Sequence, residues 1–335
     1  MNLTREGFGL WTLVDPDHLL PHNLARHAAT GSAIGYAKVD VLSSLMGNII
    51  DGEAPPTAIQ ADVLDPGDAK DELERAYASA DLIVDMSASV AVARHLTHDV
   101  TSPVRRVSLF FNPAGTDLVV LAEDAARTTR LDALEMQYYQ ATATLPELDG
   151  HLASSASRIR YARSCRDVSS VIPQSRVALL AAITAAALRR IADDPAATIA
   201  VWRVRDANLG VDAIRPAARQ VVAEAHNGWQ VVVDEGLLER VRRQRAERLP
   251  NETGGVLIGS FDAQRRIVHV VEMVASPADS EEWPTLYIRG AEGLADRVKQ
   301  IQASTLDRLR YVGEWHSHPD GVGCDPSGDD QKVLA

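Results

Sequence analysis

Glu314-Trp315-His316-Ser317-His318-Pro319, followed by Pro326-Ser327-Gly328-Asp329-Asp330, is the stretch that decides how the last third of this chain is read. The run from Tyr311 to Glu314 reads as a strand. Two histidines two residues apart at its end point to the same side, because strand side chains alternate. His316 and His318 can therefore clamp one ion. Pro326-Ser327 reads as a helix start with Ser327 as its N-cap. An aspartate in that first turn can swing its carboxylate back toward the histidines. Two His and one Asp leave the fourth tetrahedral position to water, which is the pattern of a catalytic zinc site, not a structural one.

A hydrolytic site also needs a group to take a proton from that water. Glu252 is the candidate, in Pro250-Asn251-Glu252-Thr253-Gly254-Gly255-Val256-Leu257-Ile258-Gly259. It opens a strand, and the glycines after it allow close backbone packing. Cys324 lies in the metal loop, but a fourth protein ligand would close the site, so it reads as incidental. Glu314 reads as a solvated or structural strand residue and Trp315 as packing.

Outward from this stretch, Trp229 to Val233 reads as a strand, Glu235 to Arg248 as a helix, and Gly255 to Ile258 and Arg266 to Met273 as strands. Gly290 to Arg310 reads as a helix feeding the strand at Tyr311. This is an α+β unit. Asn227-Gly228 is a turn signal, and the pattern loosens between Arg203 and Asn227. The expected division is therefore a first domain over 1–215, a linker over 216–227 and a second domain over 228–335.

Glu-Thr-Gly-Gly-Val-Leu-x-Gly, His-Ser-His-Pro and Ser-x-x-Asp, in that order, resemble the JAMM (MPN-plus) metalloproteases, in particular their bacterial branch. The resemblance implies Zn2+ held by His316, His318 and Asp330, with Glu252 as the acid/base and Ser327 stabilising the oxyanion. It also implies cleavage of isopeptide or peptide bonds at the C-terminal tail of ubiquitin-like proteins. The interval from His318 to Ser327 is one residue longer than the commonest family pattern, so Asp329 competes with Asp330. Asp330 keeps the Ser-x-x-Asp interval. The domain's last helix and strand would extend past Ala335, so a C-terminal truncation is expected.

Upstream, strands alternate with helices: a strand from Leu10 to Val14, a helix after Gly35 through Met46, and a strand over Thr57 to Val63. A helix over Ala69 to Ser79, a strand over Asp81 to Asp85 and a helix through His95 follow. Arg106 to Phe111 and Asp117 to Leu121 read as further strands. This alternation predicts a doubly wound α/β sheet. Asp15 at a strand end suits a ribose hydroxyl, Arg26 and Lys38 suit a triphosphate, and Asp85 suits Mg2+. Val177 to Leu188 reads as an Ala/Leu-rich buried helix, well short of the ~20 residues that span a bilayer.

The ordered set Asp15, Asn23, Arg26, Lys38 and Asp85 resembles the ThiF/MoeB-type, ubiquitin-activating-enzyme-like adenylyltransferases over residues 5–215. That resemblance implies a Rossmann-like fold in which those five residues line an ATP site. It also implies that Cys165, between Arg163 and Arg166, lies where a thioester-forming cysteine stands, its thiolate favoured by the arginines. The family's first strand and Gly-x-Gly-x-x-Gly loop would precede Leu10, so the domain is expected to be incomplete. Without that loop the backbone N–H cradle for phosphates is missing, which weighs against adenylation by this chain.

The chain has 335 residues and a net charge of −12. No basic run is interleaved with aromatics, which argues against nucleic acid as the main partner. Two cysteines make no disulfide framework, and no signal-peptide core opens the chain, so a cytoplasmic protein off the membrane is expected. Three readings follow: a zinc isopeptidase acting on a ubiquitin-like protein and its conjugates, an adenylyltransferase activating that modifier, or a non-catalytic modifier-binding scaffold. A conjugating enzyme and a second copy of the chain are the further partners that the resemblance brings.

Overall fold

The computed structural model describes residues 1–49, 54–153, 172–205 and 207–323, with the backbone of 158–160 and 168–170. The chain divides into two compact units, one of 1–134 with 151–218 and one of 135–150 with 219–335. No helix among the described residues is long and apolar enough to cross a membrane.

In the first unit, α1 (Asn2–Arg5) precedes β1 (Thr12–Val14), α2 (Lys38–Gly47) and β2 (Thr57–Ile59). Then come α3 (Lys70–Ser79), β3 (Leu82–Asp85), α4 (Val90–His98), β4 (Arg105–Phe111) and β5 (Asp117–Ala122). Helix α5 (Leu131–Thr144) leads on to the short antiparallel pair β6 (Arg158–Arg160) and β7 (Val168–Ser170), then α6 (Gln174–Asp193), β8 (Thr198–Val204) and β9 (Val211–Ile214).

The expected α/β alternation is present. β1 pairs in parallel with β2 across α2, and β3 with β4 across α4. The sheet differs from a single doubly wound layer in being two pieces: the β1–β2 pair and a five-stranded sheet in the order β3-β4-β5-β8-β9. From β4 onward its neighbours are antiparallel. A tight connection forces this at β4–β5, since parallel neighbours need a long crossover. There the Asn112 side-chain carbonyl accepts from the backbone N–H of Thr116 (2.9 Å) and Asp117 (3.0 Å).

β5 is buried along its whole length, which gives a continuous apolar run from Leu118 to Ala122 in place of alternation. Leu180, Ala185, Leu188 and Ile191 of α6 pack with Val107, Leu109, Leu118 and Val120. The Val177–Leu188 run is thus buried on one face only: Ala178, Leu179 and Ala181 are exposed. That corrects the reading of a buried helix; many of its alanines sit on the outer face, where alanine favours helix without packing.

In the second unit, β10 (Val221–His226) and β11 (Trp229–Asp234) form a hairpin. α7 (Glu235–Arg248), β12 (Gly254–Asp262), β13 (Ile267–Ala275), β14 (Glu281–Trp283), β15 (Leu286–Ile288), α8 (Leu294–Ser304) and β16 (Arg310–His316) follow. The main sheet runs β10-β11-β13-β12-β16. β14 and β15 pair separately.

Asn227 and Gly228, both at positive φ, make the two-residue turn of the β10–β11 hairpin. β10 lies inside the stretch expected as linker. It is exposed along nearly its whole length, so no apolar alternation marks it in the sequence. Residues 135–150 of the second unit also fall outside the expected boundaries. There the amide of Gln137 bonds Arg219 O at 2.7 Å and that of Gln140 bonds Glu272 at 2.8 Å, which accounts for polar side chains inside a helix with no polar stripe.

Asp234 closes β11 and caps α7, accepting from Leu237 N at 3.0 Å. The glycines of β12 carry close backbone packing as expected. A Cβ at Gly255 would lie 2.2 Å from Val274 O, and one at Gly259 would lie 1.7 Å from His269 O. Helix α8 ends before the expected Arg310 because Leu306 and Asp307 turn to positive φ.

Candidate functional site

β12 and β16 are antiparallel neighbours, with Gly254 opposite His316. The pairing runs on past the strand ends: Ser317 N donates to Thr253 O at 2.7 Å, and Thr253 N donates to Ser317 Oγ at 3.2 Å. Glu252 directly precedes Thr253, and His318 directly follows Ser317. A base candidate and a ligand candidate thus meet at the same end of two adjacent strands.

The Nε2 atoms of His316 and His318 stand 3.1 Å apart. Two imidazoles on one tetrahedral zinc, at about 2.0–2.1 Å each, would place their nitrogens about 3.3 Å from one another. The pair is therefore already spaced for a shared ion. His318 Nδ1 also donates to the carbonyl of Gly323, which puts its proton on Nδ1 and leaves the Nε2 lone pair for a metal. No group of three or more His, Cys, Asp or Glu side chains suited to a metal is complete among the described residues. Ser327, Asp329 and Asp330 lie outside them, as does Cys324.

Several residues that the motifs do not name hold this end of the sheet. Arg245 of α7 donates from Nε to His318 O at 3.0 Å and pairs with Asp320 at 2.6 Å. Glu252 N donates to Trp283 O at 2.9 Å. Thr253 Oγ1 donates to Glu282 at 2.7 Å and accepts from Gln244 Nε2 at 3.3 Å. The Tyr287 ring lies nearly parallel to that of His316, at 6.2 Å and 18°. Burial pushes the Tyr287 hydroxyl up, so it stays a protonated donor at neutral pH. Glu314, expected in a solvated or structural role, meets Arg289 at 3.0 Å and the Tyr311 hydroxyl at 3.2 Å. The only sequence signal for Tyr287 and Arg289 is their own two-residue spacing, which matches that of Glu314 and His316.

In the first unit, Asp15, Asp17 and Lys38 come together. Lys38 Nζ is 2.6 Å from Asp17 and 3.9 Å from Asp15, and Asp17 N donates to Asp15 at 2.8 Å. Burial pushes the Asp15 carboxyl up against the pull of the Asp17 N–H and Lys38. Asn23 accepts from Leu20 N at 2.8 Å, and Arg26 is exposed. Asp85 ends β3, in the other sheet. It is 4% exposed, and its oxygens accept from Ser87 N (2.9 Å), Ser87 Oγ (2.6 Å) and Ser108 Oγ (3.1 Å). It holds a turn in this structure. Cys165 lies outside the described residues.

Residues 234–335 match the family described as prokaryotic homologs of the JAB domain, so the chain carries a JAB-type domain at its C-terminal end. Among named relatives, the chain is similar to the CD-NTase/cGAS isopeptidase of Enterobacter hormaechei subsp. hoffmannii (strain UCI 50). The identity is 37% over 106 residues, covering 32% of this chain and 57% of that protein. The chain therefore spans little more than half the length of the relative it matches.

Of solved structures, E. coli MccB with ATP aligns at 13% identity and a TM-score of 0.43, over 64% of this chain and 58% of that one. PaaA aligns at 12% identity and 0.38, over 64% and 66%.

Proposed function

We propose that this chain is a zinc-dependent isopeptidase that cleaves isopeptide or peptide bonds at the C-terminal tail of a ubiquitin-like modifier. One observation carries the reading: His316 and His318 aim Nε2 atoms 3.1 Å apart, with the His318 tautomer fixed, at the strand end next to Glu252. The JAB-type domain and the isopeptidase relative support it.

His316 and His318 would hold the ion, with Asp330, or Asp329 in its place, as the third ligand. When bound, zinc supplies Lewis acidity, lowering the pKa of water at its open position and polarising a carbonyl oxygen. Glu252 takes the proton of the attacking water and passes it to the leaving amine as the carbon–nitrogen bond breaks. Its backbone is held for this task by the Trp283 carbonyl, and that of Thr253 by Ser317. Ser327 donates to the oxygen that gains charge.

The test is elemental analysis of the purified full chain beside a His316→Ala/His318→Ala double variant. Near-stoichiometric zinc in the parent, lost in the double variant, is the expected result. A parent that is empty and refuses added zinc would sink the reading.

A further inference from the structure

The β14–β15 hairpin meets β16 at two matched points. Arg289 pairs with Glu314, and two residues before it the Tyr287 ring stacks on His316. Tyr287 of β15 and Arg289, one residue past that strand, thus meet alternate residues of β16. The Arg289–Glu314 ion pair therefore sits beside the Tyr287–His316 stack as a second contact with the same strand.

Gly254 makes the space for it. A Cβ at this position would meet the Trp315 backbone carbonyl and, at 2.5 and 2.8 Å, Tyr287 Cε1 and Cζ, so the ring shares with the facing backbone the volume of the missing side chain. Gly254 is also the residue directly opposite His316. The aromatic ring thus covers a buried glycine of an interior strand and stacks on that glycine's cross-strand partner.

The hydroxyl is anchored as well. Ser276 Oγ donates to Gly254 O at 2.8 Å, which leaves the 2.8 Å contact between Ser276 Oγ and Tyr287 Oη to be donated by the tyrosine. The polar chain Tyr287 to Ser276 to Gly254 fixes the ring at its far end. Groups that orient a ligating imidazole commonly set metal affinity about 10- to 100-fold.

We propose that Tyr287 is a positioning residue that fixes the ring plane of His316 for metal binding, seated in the slot left by Gly254 and tethered by Ser276. This rests on the zinc reading above and adds to it a residue outside the metal-binding motifs.

The experiment compares the full chain with Tyr287→Phe, Tyr287→Leu and Tyr287→Met. Zinc affinity is measured by chelator competition, the cobalt(II)-substituted absorption spectrum is recorded, and kcat and KM are determined separately. Loss of the ring is expected to weaken zinc about 10-fold and to shift the cobalt bands. Tyr287→Phe keeps the stack and should stay within about threefold of the parent, below that scale. Should Tyr287→Leu fail to fold, Tyr287→Met, which keeps the bulk without the ring, carries the comparison.

Parental zinc affinity and an unchanged cobalt spectrum in a folded ring-less variant would overturn the proposal. A raised KM alone would place the ring against substrate and overturn it too. A parent that binds no zinc removes the metal reading and this one together. A parent that binds zinc through His316 while the ring-less variants match it removes only this one.

Discussion

Arg245 and His318 are joined through the backbone: the guanidinium Nε donates to the His318 carbonyl at 3.0 Å while Nη2 holds Asp320 at 2.6 Å. A residue of helix α7 thereby fixes the chain immediately after the second histidine of the proposed metal pair. The planar fork holds a carbonyl and a carboxylate in one fixed geometry, whereas an ammonium is a point charge on a flexible stem.

Arg245→Ala is expected to weaken zinc binding about 10-fold, as loss of a group that orients a ligand does. Arg245→Lys should recover only part of it. Chelator competition on the full chain measures both, and wild-type affinity in Arg245→Ala would refute this role.

Glu252→Gln keeps the shape of the side chain and removes its basicity. Zinc content should stay at the parental level while cleavage falls about 10²- to 10⁴-fold, the usual contribution of a positioned acid/base. The assay is release of a fluorophore from C-terminal amides of a panel of ubiquitin-like proteins. Unchanged turnover would assign the proton transfer to another group.

Gly259→Ala should destabilise the second unit by about 1–3 kcal/mol or more, because its Cβ would fall 1.7 Å from a backbone oxygen that has no room to step aside. Gly313→Ala is the control: its Cβ would meet nothing within 4 Å, and the change should stay within about 0.5 kcal/mol. Urea unfolding followed by circular dichroism separates the two.

Asp117 in the first unit predicts an acid limb of stability. Burial raises its pKa, but the hydrogen bond and charge of His151 (2.6 Å), with bonds from Thr116 and Arg203 (3.0 Å), outweigh burial and hold it below the usual carboxylate range. A carboxyl depressed on folding stabilises the folded chain above its unfolded pKa of about 3.9. That stability drains away as pH falls through the lower folded value. Asp117→Asn should be less stable at pH 7 and show a flatter decline between about pH 4 and 2. Thermal melts across that range test it, and parallel curves would rule the linkage out.

How much was legible depended on whether a signal was local. His316-Ser317-His318 and Glu252 could be read because strand periodicity of two and a glycine run are properties of neighbouring residues. Helix α7 stood out over Glu235–Arg248 for the same reason, and the structure adds Asp234 as its cap. β10 did not, since a strand exposed on both faces has no apolar alternation to show. Asp85 read as a metal ligand because an acid at a strand end is the local pattern. Only packing revealed Ser108 from β4 beside it and Ser87 folded back onto it.

The sequence by itself therefore determined the α/β and α+β order of elements, the paired histidines and the candidate base, since each follows from periodicity and spacing along the chain. Tertiary structure alone decided what orients them: Tyr287 over Gly254, Arg245 on the His318 carbonyl, and the tautomer set by Gly323. The first two are contacts between segments far apart in the chain, and the third is a loop folding back on itself. They depend on how strands and helices stack in three dimensions, and spacing along one strand carries no trace of them.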